Sequence, residues 1–395
     1  MEVLLISRYF WPEDGVSEEP YILKGYVDWH LSKDHKIALV TGAQKHHAYD
    51  LSKYKDLGVE FSCFFSPIDR KSNFLKRILN SFILLILATK TIIFKKSFDL
   101  IYLPSNPPFL ALFIAIINKT VLKKSKIIFI IQDNMIYRIN NKLLKSLYKM
   151  YIRFTIRLSD VIILLSQPMK DEIASYFNMG ESQKILKKIH ILLNFSNPNK
   201  KLFYKNVKNV KNAFATTKTV DIIYAGNHGE SQNLISFLRI VKEIRPFDRP
   251  RILFYGEGSD KVNVVNYSEK YELDIKFMNH VPKNKIVEKI SESKYGLVCM
   301  SKSLSRYAFP SKLGSYLSSG TKVIICVNGY DFLSDYVKDK RFGFYIDSSD
   351  PKRAAQNLLN YLKDSEDPYS DFFDNFNNEF NKENYFKKLG KILEL

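Results

Sequence analysis

The chain is poor in cysteine. It has three in 395 residues, Cys63, Cys299 and Cys326. Their spacing offers no CxxC pair and no Cys/His cluster, which excludes a disulfide framework and a zinc site of the usual kinds. Cys299 and Cys326 lie in apolar runs, where a free thiol behaves as a small hydrophobe, so a reducing compartment is expected. A long apolar run is also missing. The longest, Phe82–Phe94, is shorter than a bilayer span and contains Lys90. The N-terminus, MEVLLISRYFWPEDG, has an acid at position 2 and no basic segment, so no signal peptide is expected. These absences point to a cytoplasmic protein whose membrane contact, if any, is peripheral. There is no Asp-x-Asp motif, no short repeat and no low-complexity tract.

Acidic residues are scarce relative to basic ones. The chain has 60 Lys+Arg against 41 Asp+Glu, a formal net charge of +19. Residues 1–200 hold 29 basic and 17 acidic residues (+12), and the remainder 31 and 24 (+7). Such a field favours anionic partners: nucleic acid, an acidic membrane surface or phosphorylated substrates. A base-composition bias that inflates Lys, Asn and Ile gives the same count without any partner.

Short apolar runs alternate with helical patterns. Val3–Ser7, Lys36–Gly42, Leu100–Pro104, Lys126–Asp133, Asp160–Ser166 and His190–Asn194 read as buried parallel strands. A second series follows at Asp221–Asn227, Arg251–Gly258, Ile275–Val281, Gly296–Met300 and Lys322–Val327. The alternation predicts an α/β protein with two doubly wound sheets. The domains are expected at 1–200, joined by a C-terminal helix at about 378–395, and at 201–377. The polar stretch Asn206–Lys218 reads as the linker between them.

In such sheets ligands bind at the carboxyl ends of strands. The loops there contain Gly15, then Gly226 and Gly229, then Gly256 and Gly258. Glycine in these places opens the backbone to a ligand, and it is equally plain turn chemistry. One segment stands out. RYAFPSKLGSYLSSG, Arg306–Gly320, reads as a helix opening at Pro310, with Leu313, Tyr316 and Leu317 buried and Gly320 just past its end. Lys312 falls in its first turn, where the dipole and exposed N–H groups disfavour a cation by about 0.3–1 kcal/mol. Either the lysine is solvated and tolerated there, or an anion occupies the helix start.

PSKLGSYLSSG (Pro310–Gly320) resembles a segment of bacterial glycosyltransferases of the GT-B fold, family 4. The likeness is closest to the branch that builds O-antigen, capsule and other surface polysaccharides, including fucosamine-type transferases. YFWPEDG after the first strand, YAGNHGESQNL (Tyr224–Leu234), RLSDVIILLSQPMKDEI and HILLNFSNP resemble the same branch, in the same order. The resemblance implies two Rossmann-like domains facing a cleft, with the last helix crossing back to the N-terminal domain. It also implies retaining transfer from a nucleotide-sugar, UDP- or GDP-linked, with no cofactor and no bound metal.

By residue, the resemblance puts the donor diphosphate on Lys312 and the 310–313 amides (Pro310, Ser311, Leu313), with Gly15 approaching closely. Asn227, Gly229, Gln232, Gly256 and Gly258 would line the donor, and His280 and Val281 would lie near its base. Asn227 and Gln232 stand where many relatives have Arg and Lys. Tyr307 and Ser315 stand where many have glutamates that hold the sugar and the ribose. Asp133 would orient the acceptor or accept its proton; it also reads as a loop-start cap. Acceptors in this branch are usually sugars on a polyprenyl pyrophosphate, so the resemblance implies a lipid-linked acceptor.

Two basic segments suit an anionic membrane surface at the inner face of the bacterial plasma membrane. One is Arg70–Lys96. The other places Arg138, Lys142, Lys145, Lys149, Arg153 and Arg157 at helical spacing, with no acid between Asp133 and Asp160. An ordinary solvated helix face accounts for the same pattern. Competing readings are a catalytically degenerate sugar-nucleotide-binding or scaffold subunit, a GT-B-like sugar epimerase, and a nucleic-acid binder. The last has charge alone in its favour, since the aromatics lie in apolar runs, and no nucleic-acid partner is expected.

Overall fold

Val3, Leu4 and Leu5 of the first strand are all but fully buried, and that is the pattern of the inner strands: they are short, largely branched-aliphatic and covered on both faces. The computed structural model describes residues 1–7, 18–44, 52–66, 74–95, 98–122, 125–196, 220–279, 281, 283–305, 307–329, 331–363 and 371–395. Gly15, His280 and the expected linker Asn206–Lys218 lie outside these residues.

Contacts divide the chain into two units, Met1–Leu193 with Phe386–Leu395, and Asn194–Tyr385. The first contains β1 (Glu2–Ser7), β2 (Lys36–Gln44), β3 (Val59–Ser66), β4 (Leu100–Pro104), β5 (Lys126–Ile131), β6 (Val161–Leu164) and β7 (Ile189–Ile191). They form one parallel sheet in the order β3-β2-β1-β4-β5-β6-β7. The second contains β8 (Val220–Ala225), β9 (Ile252–Tyr255), β10 (Ile275–Met278), β11 (Ser293–Cys299), β12 (Lys322–Val327) and β13 (Gly343–Asp347). Its parallel sheet runs β10-β9-β8-β11-β12-β13. Both sheets are the doubly wound type expected, and both reverse strand order once, at β1/β4 and at β8/β11. Two strands went unrecognised in the sequence, β3 and β13. Both are edge strands, and β13 alternates buried and half-buried residues instead of forming an apolar run.

The first unit's helices are α1 (Glu18–Leu31), α2 (Ser52–Asp56), α3 (Phe74–Lys95), α4 (Leu110–Ile117), α5 (Lys142–Leu158), α6 (Gln167–Ala174) and α7 (Met179–Leu186). Right-handed crossovers put α1 and α2 on one face of the sheet and α3, α4 and α5 on the other. Accordingly α4 packs against both α3 and α5. Local chemistry starts these helices: the Asn141 side chain accepts from the Leu143 and Leu144 amides, and the Asn178 side chain from the Glu181 amide. The final helix, Lys382–Leu393, contributes Phe386, which stacks on Trp29 at 5.2 Å and meets Tyr26 edge-on at 5.5 Å. Lys126 Nζ also donates to the Leu393 carbonyl, at 3.3 Å. These contacts explain why the last ten residues group with the first unit.

Aspartates pin strand starts in both sheets. Asp99 accepts from the Glu2 amide (2.8 Å), Asp160 from the Ile127 amide (2.8 Å) and Asp221 from the Arg251 amide (2.9 Å). Cys299 and Cys326, distant in sequence, are register partners on β11 and β12, both buried.

In the second unit, the loops after β8 and β9 touch through their backbones. A Cβ at Gly256 would lie 2.0 Å from the Gly226 carbonyl oxygen, and one at Gly258 2.4 Å from the His228 backbone. Gly256 also has φ +127°, a conformation that side chains rarely adopt. These two glycines, which the sequence left between ligand openings and turn chemistry, are required by loop packing. Gly256→Ala is therefore expected to cost about 2–4 kcal/mol in urea unfolding, and a change within about 0.5 kcal/mol would contradict the packing.

His30 closes α1 inside the first unit. It is fully buried, with Nε2 3.0 Å from Tyr102 Oη and Nδ1 2.9 Å from His35 Nδ1. Burial, with the His35 and Lys33 charges adding, lowers its pKa from 6.5 to about 3. The unfolded chain therefore binds the extra proton first, and His30's contribution to stability is present above pH 6.5 and lost as pH falls toward 3. Between about pH 7.5 and about pH 5 wild type should lose about 2 kcal/mol more than His30→Phe in paired urea titrations; parallel curves would refute this.

Candidate functional site

Each unit gathers polar side chains where its strand order reverses. In the second unit the centre is Lys312. The helix Ser311–Ser318 starts one residue later than the sequence suggested, with Pro310 as its N-cap residue. It is locked from behind by Tyr316, which is fully buried. The Tyr316 hydroxyl accepts from the Ala225 amide of β8 (2.9 Å) and donates to the Leu297 carbonyl of β11 (3.2 Å). Its ring fills the space that a side chain at Gly296 would need: a Cβ there would be 2.3 Å away. Gly320, at φ +69°, ends the helix as expected.

Lys312 does not sit over its own helix start as a solvated cation. Its side chain crosses to the end of β8, where Nζ donates to Tyr224 Oη at 2.9 Å and to Gln232 Oε1. The ammonium lies 4.3 Å from the centre of the Tyr224 ring, a cation–π contact that offsets the helix-dipole cost. Burial, first, and then the neighbouring Tyr316 raise the Tyr224 pKa well above the ordinary value, so the phenol stays neutral. It in turn donates to the Asn227 carbonyl, 2.6 Å away. The Ser301 amide donates to the Ser231 carbonyl at 3.0 Å, tying the segment before the helix to the same loop. His228 is buried beside Tyr224, with rings 5.3 Å apart; burial, with the Lys261 charge adding, lowers its pKa and keeps it neutral.

The structure thus brings Lys312, Gln232, Asn227 and Gly229 together, on the β8 loop and the adjoining helix start. It corrects two expected donor contacts. The Leu313 side chain is fully buried in the core and its amide donates to the Pro310 carbonyl at 3.0 Å. Pro310 has no N–H to give. The amide donors to weigh in 310–313 are those of Ser311 and Lys312. Ser315 lies one turn further along, its carbonyl accepting from the Ser318 and Ser319 hydroxyls. Val281 follows β10, at the sheet edge. Tyr224 and Tyr316 were missed as site residues because each also reads as ordinary core: one ends a strand, the other lies on the buried helix stripe.

In the first unit a cavity of about 180 Å³ opens at the β1/β4 reversal. Polar groups from Ser7, Ser105, Asn106, Gln132 and Asp133 line it, with Tyr102 and other apolar side chains beneath. Asp133 follows β5, and the capping role that the sequence also allowed it belongs to its neighbour. The Asn134 side chain accepts from the Ile136 amide (3.3 Å) and donates to Tyr176 Oη (3.1 Å). Ser105 and Asn106 carried no sequence signal beyond following a strand.

The expected basic stripe on α5 is only partly a free surface. Lys142 and Lys145 are exposed. Lys149 lies 4.8 Å from the Tyr176 ring, Arg153 5.8 Å from the Phe177 ring, and Arg157 pairs with Glu181 at 2.7 Å. The Arg138 side chain lies outside the described residues. Among the described residues, no group of three or more His, Cys, Asp or Glu could hold a metal ion.

Residues 205–377 match the family model described as Glycosyl transferases group 1. No curated protein sequence matches the chain. Solved structures similar over the whole chain include Alr3699/HepE of Anabaena in complex with UDP and glucose, with TM-score 0.65, 10% identity, and 100% of this chain and 99% of that one covered. An α,α-trehalose-phosphate synthase (UDP-forming) from Burkholderia vietnamiensis gives TM-score 0.71 and 10% identity, with 100% and 99% covered. The lipopolysaccharide outer core galactosyltransferase WaaB, in its apo form, gives 0.61 and 12%, also with 100% and 99% covered. At these identities the likeness establishes fold, and the fold is GT-B: two Rossmann-like parallel-sheet domains in one chain.

Proposed function

We propose that the protein is a retaining glycosyltransferase that moves a sugar from a UDP- or GDP-sugar to a saccharide acceptor, carried on a polyprenyl pyrophosphate, in surface-polysaccharide synthesis. One observation carries the reading. Within the unit matched by the glycosyltransferase model, a lysine from the first turn of a helix has its ammonium fixed at the strand-order reversal, against Tyr224 and Gln232. As the bond from the anomeric carbon to the diphosphate oxygen breaks, negative charge grows on the leaving phosphate. Fixed donors aimed at that charge lower the barrier. Lys312 supplies the cation and the Ser311 and Lys312 amides supply N–H groups, so the proposal calls for no bound metal and no cofactor. Gln232, neutral where many relatives are basic, orients Lys312 in place of adding a second charge.

The cavity at Asp133 is assigned to the acceptor. A carboxylate there orients the attacking hydroxyl or takes its proton. For the reaction as a whole, the likeness to the galactosyltransferase WaaB and to HepE in complex with UDP and glucose supports glycosyl transfer from a nucleotide-sugar. A second reading, a sugar-nucleotide-binding subunit without transferase activity, is favoured by the neutral residues at Asn227, Gln232, Tyr307 and Ser315. It predicts nucleotide binding with no turnover on any acceptor.

Purified protein incubated with a panel of UDP- and GDP-sugars and lipid-linked saccharides should release nucleoside diphosphate. Lys312→Met should lower that turnover about 10²–10³-fold while leaving thermal unfolding nearly unchanged. Wild-type turnover in the folded variant would remove Lys312 from the mechanism. Asp133→Asn should leave nucleotide affinity unaltered and cut transfer about 10²-fold or more. A variant that transfers normally would return Asp133 to a structural role.

A further inference from the structure

The loop that carries Asp133 rests on two buried phenols from neighbouring elements. The Met135 amide donates to Tyr148 Oη at 3.3 Å, and the Asn134 side chain donates to Tyr176 Oη at 3.1 Å. Tyr148 lies on the buried stripe of α5 with Tyr151 and Ile152, and its ring meets that of Tyr151 edge-on at 5.7 Å. Tyr176 follows α6, with Lys149 over its ring. Burial, the first cause in each case, raises both phenol pKa values, so both hydroxyls keep their protons. The two differ in where that proton goes. Tyr176 gives its proton to the Glu172 carboxylate. A hydroxyl can accept and donate at once, and a buried one is rarely left without an acceptor. The Tyr148 proton is spent on no other group among the described residues, and Asp133 is the carboxylate whose charge reaches it.

We propose that Tyr148 is a positioning residue of the acceptor site, its oxygen holding the Met135 amide and its proton shared with the Asp133 carboxylate. The phenol ties the carboxylate to the backbone of its own loop, so the carboxylate is aimed before an acceptor arrives. Donation favours the ionised carboxylate, the form that can take a proton from the attacking hydroxyl. The other titratable groups facing Tyr148 are Tyr137 on the same loop, Tyr151 on α5 and Tyr176, with Glu172 and Lys149 beyond it. On the cavity side of Asp133 the titratable lining residues are Tyr26 and Tyr102. Phenols titrate far above carboxyls, so within this cluster Asp133 is the group beside Tyr148 that changes charge at mildly acid pH. In the sequence Tyr148 reads as one more apolar position between the basic residues of α5. The inference deepens the acceptor reading of Asp133 and rests on it for any effect on transfer; the contact itself does not.

The test is Tyr148→Phe in the full chain, which removes the hydroxyl and keeps the ring. The first readout needs no turnover. Titration of the Asp133 carboxyl is followed by infrared absorption in protein carrying isotope-labelled aspartate, with Asp133→Asn as the blank. Loss of the donated hydrogen bond should move that titration up by about 0.5–1 pH unit. The second readout is the pH profile of transfer. Its low-pH limb should move up by the same amount, turnover at the foot of the limb should fall about three- to tenfold, and KM for the nucleotide-sugar should stay as in wild type. Tyr176→Phe, which loosens the same loop through Asn134, is the structural control and should leave the titration and the limb in place. An unmoved Asp133 titration in folded Tyr148→Phe would overturn the proposal, and so would an equal displacement in the two variants. A moved titration in a protein whose Asp133→Asn variant transfers normally would sustain the Tyr148 contact and count only against Asp133 as the base.

Discussion

Parallel strands joined by right-handed crossovers diverge in their loops wherever strand order reverses, because the connections on either side lead to opposite faces of the sheet. Each sheet of this protein reverses once, and everything chemically distinctive follows from those two places. At β8/β11 the divergence leaves room for the loop after β8 and for the start of the Ser311–Ser318 helix. At β1/β4 it leaves the cavity bordered by Asp133. The remainder of each unit fixes these positions: buried strands set the register, and Tyr316 ties the helix to β8 and β11.

The lysine at the helix start follows from this arrangement. A cation in a first helical turn is unfavourable when nothing else is near. Here the side chain reaches away to a buried phenol and an amide oxygen. The hydrogen bonds and the aromatic face hold the ammonium in one place without neutralising it, since the Tyr224 phenol stays protonated. A positive charge fixed in this way is organised before any ligand arrives, which is what stabilisation of a leaving diphosphate requires.

Much of this was legible in the sequence. Buried parallel strands write themselves as continuous aliphatic runs, and eleven of those runs gave the two sheets. The edge strands β3 and β13 were not legible, since a strand covered less completely mixes polar with apolar residues. The Ser311–Ser318 helix and its lysine were found from local rules, because Leu313, Tyr316, Leu317 and Gly320 follow helical spacing and stop chemistry. What Lys312 touches could not be read, since Tyr224 and Gln232 are remote in sequence. The same limit applied to Gly256 and Gly258, whose need for a bare backbone comes from Gly226 and His228 on another loop. On α5 the regular basic spacing was visible, but not that Lys149 and Arg153 lean on Tyr176 and Phe177.

The central claim is that the β8/β11 reversal, with Lys312 at its centre, receives the diphosphate of a sugar nucleotide. The most direct measurement is a crystal structure of the protein soaked with UDP or GDP. The account predicts phosphate density within hydrogen-bonding distance of Lys312 Nζ and the Ser311 amide. Diphosphate bound elsewhere, with Lys312 still on Tyr224 and Gln232, would contradict it.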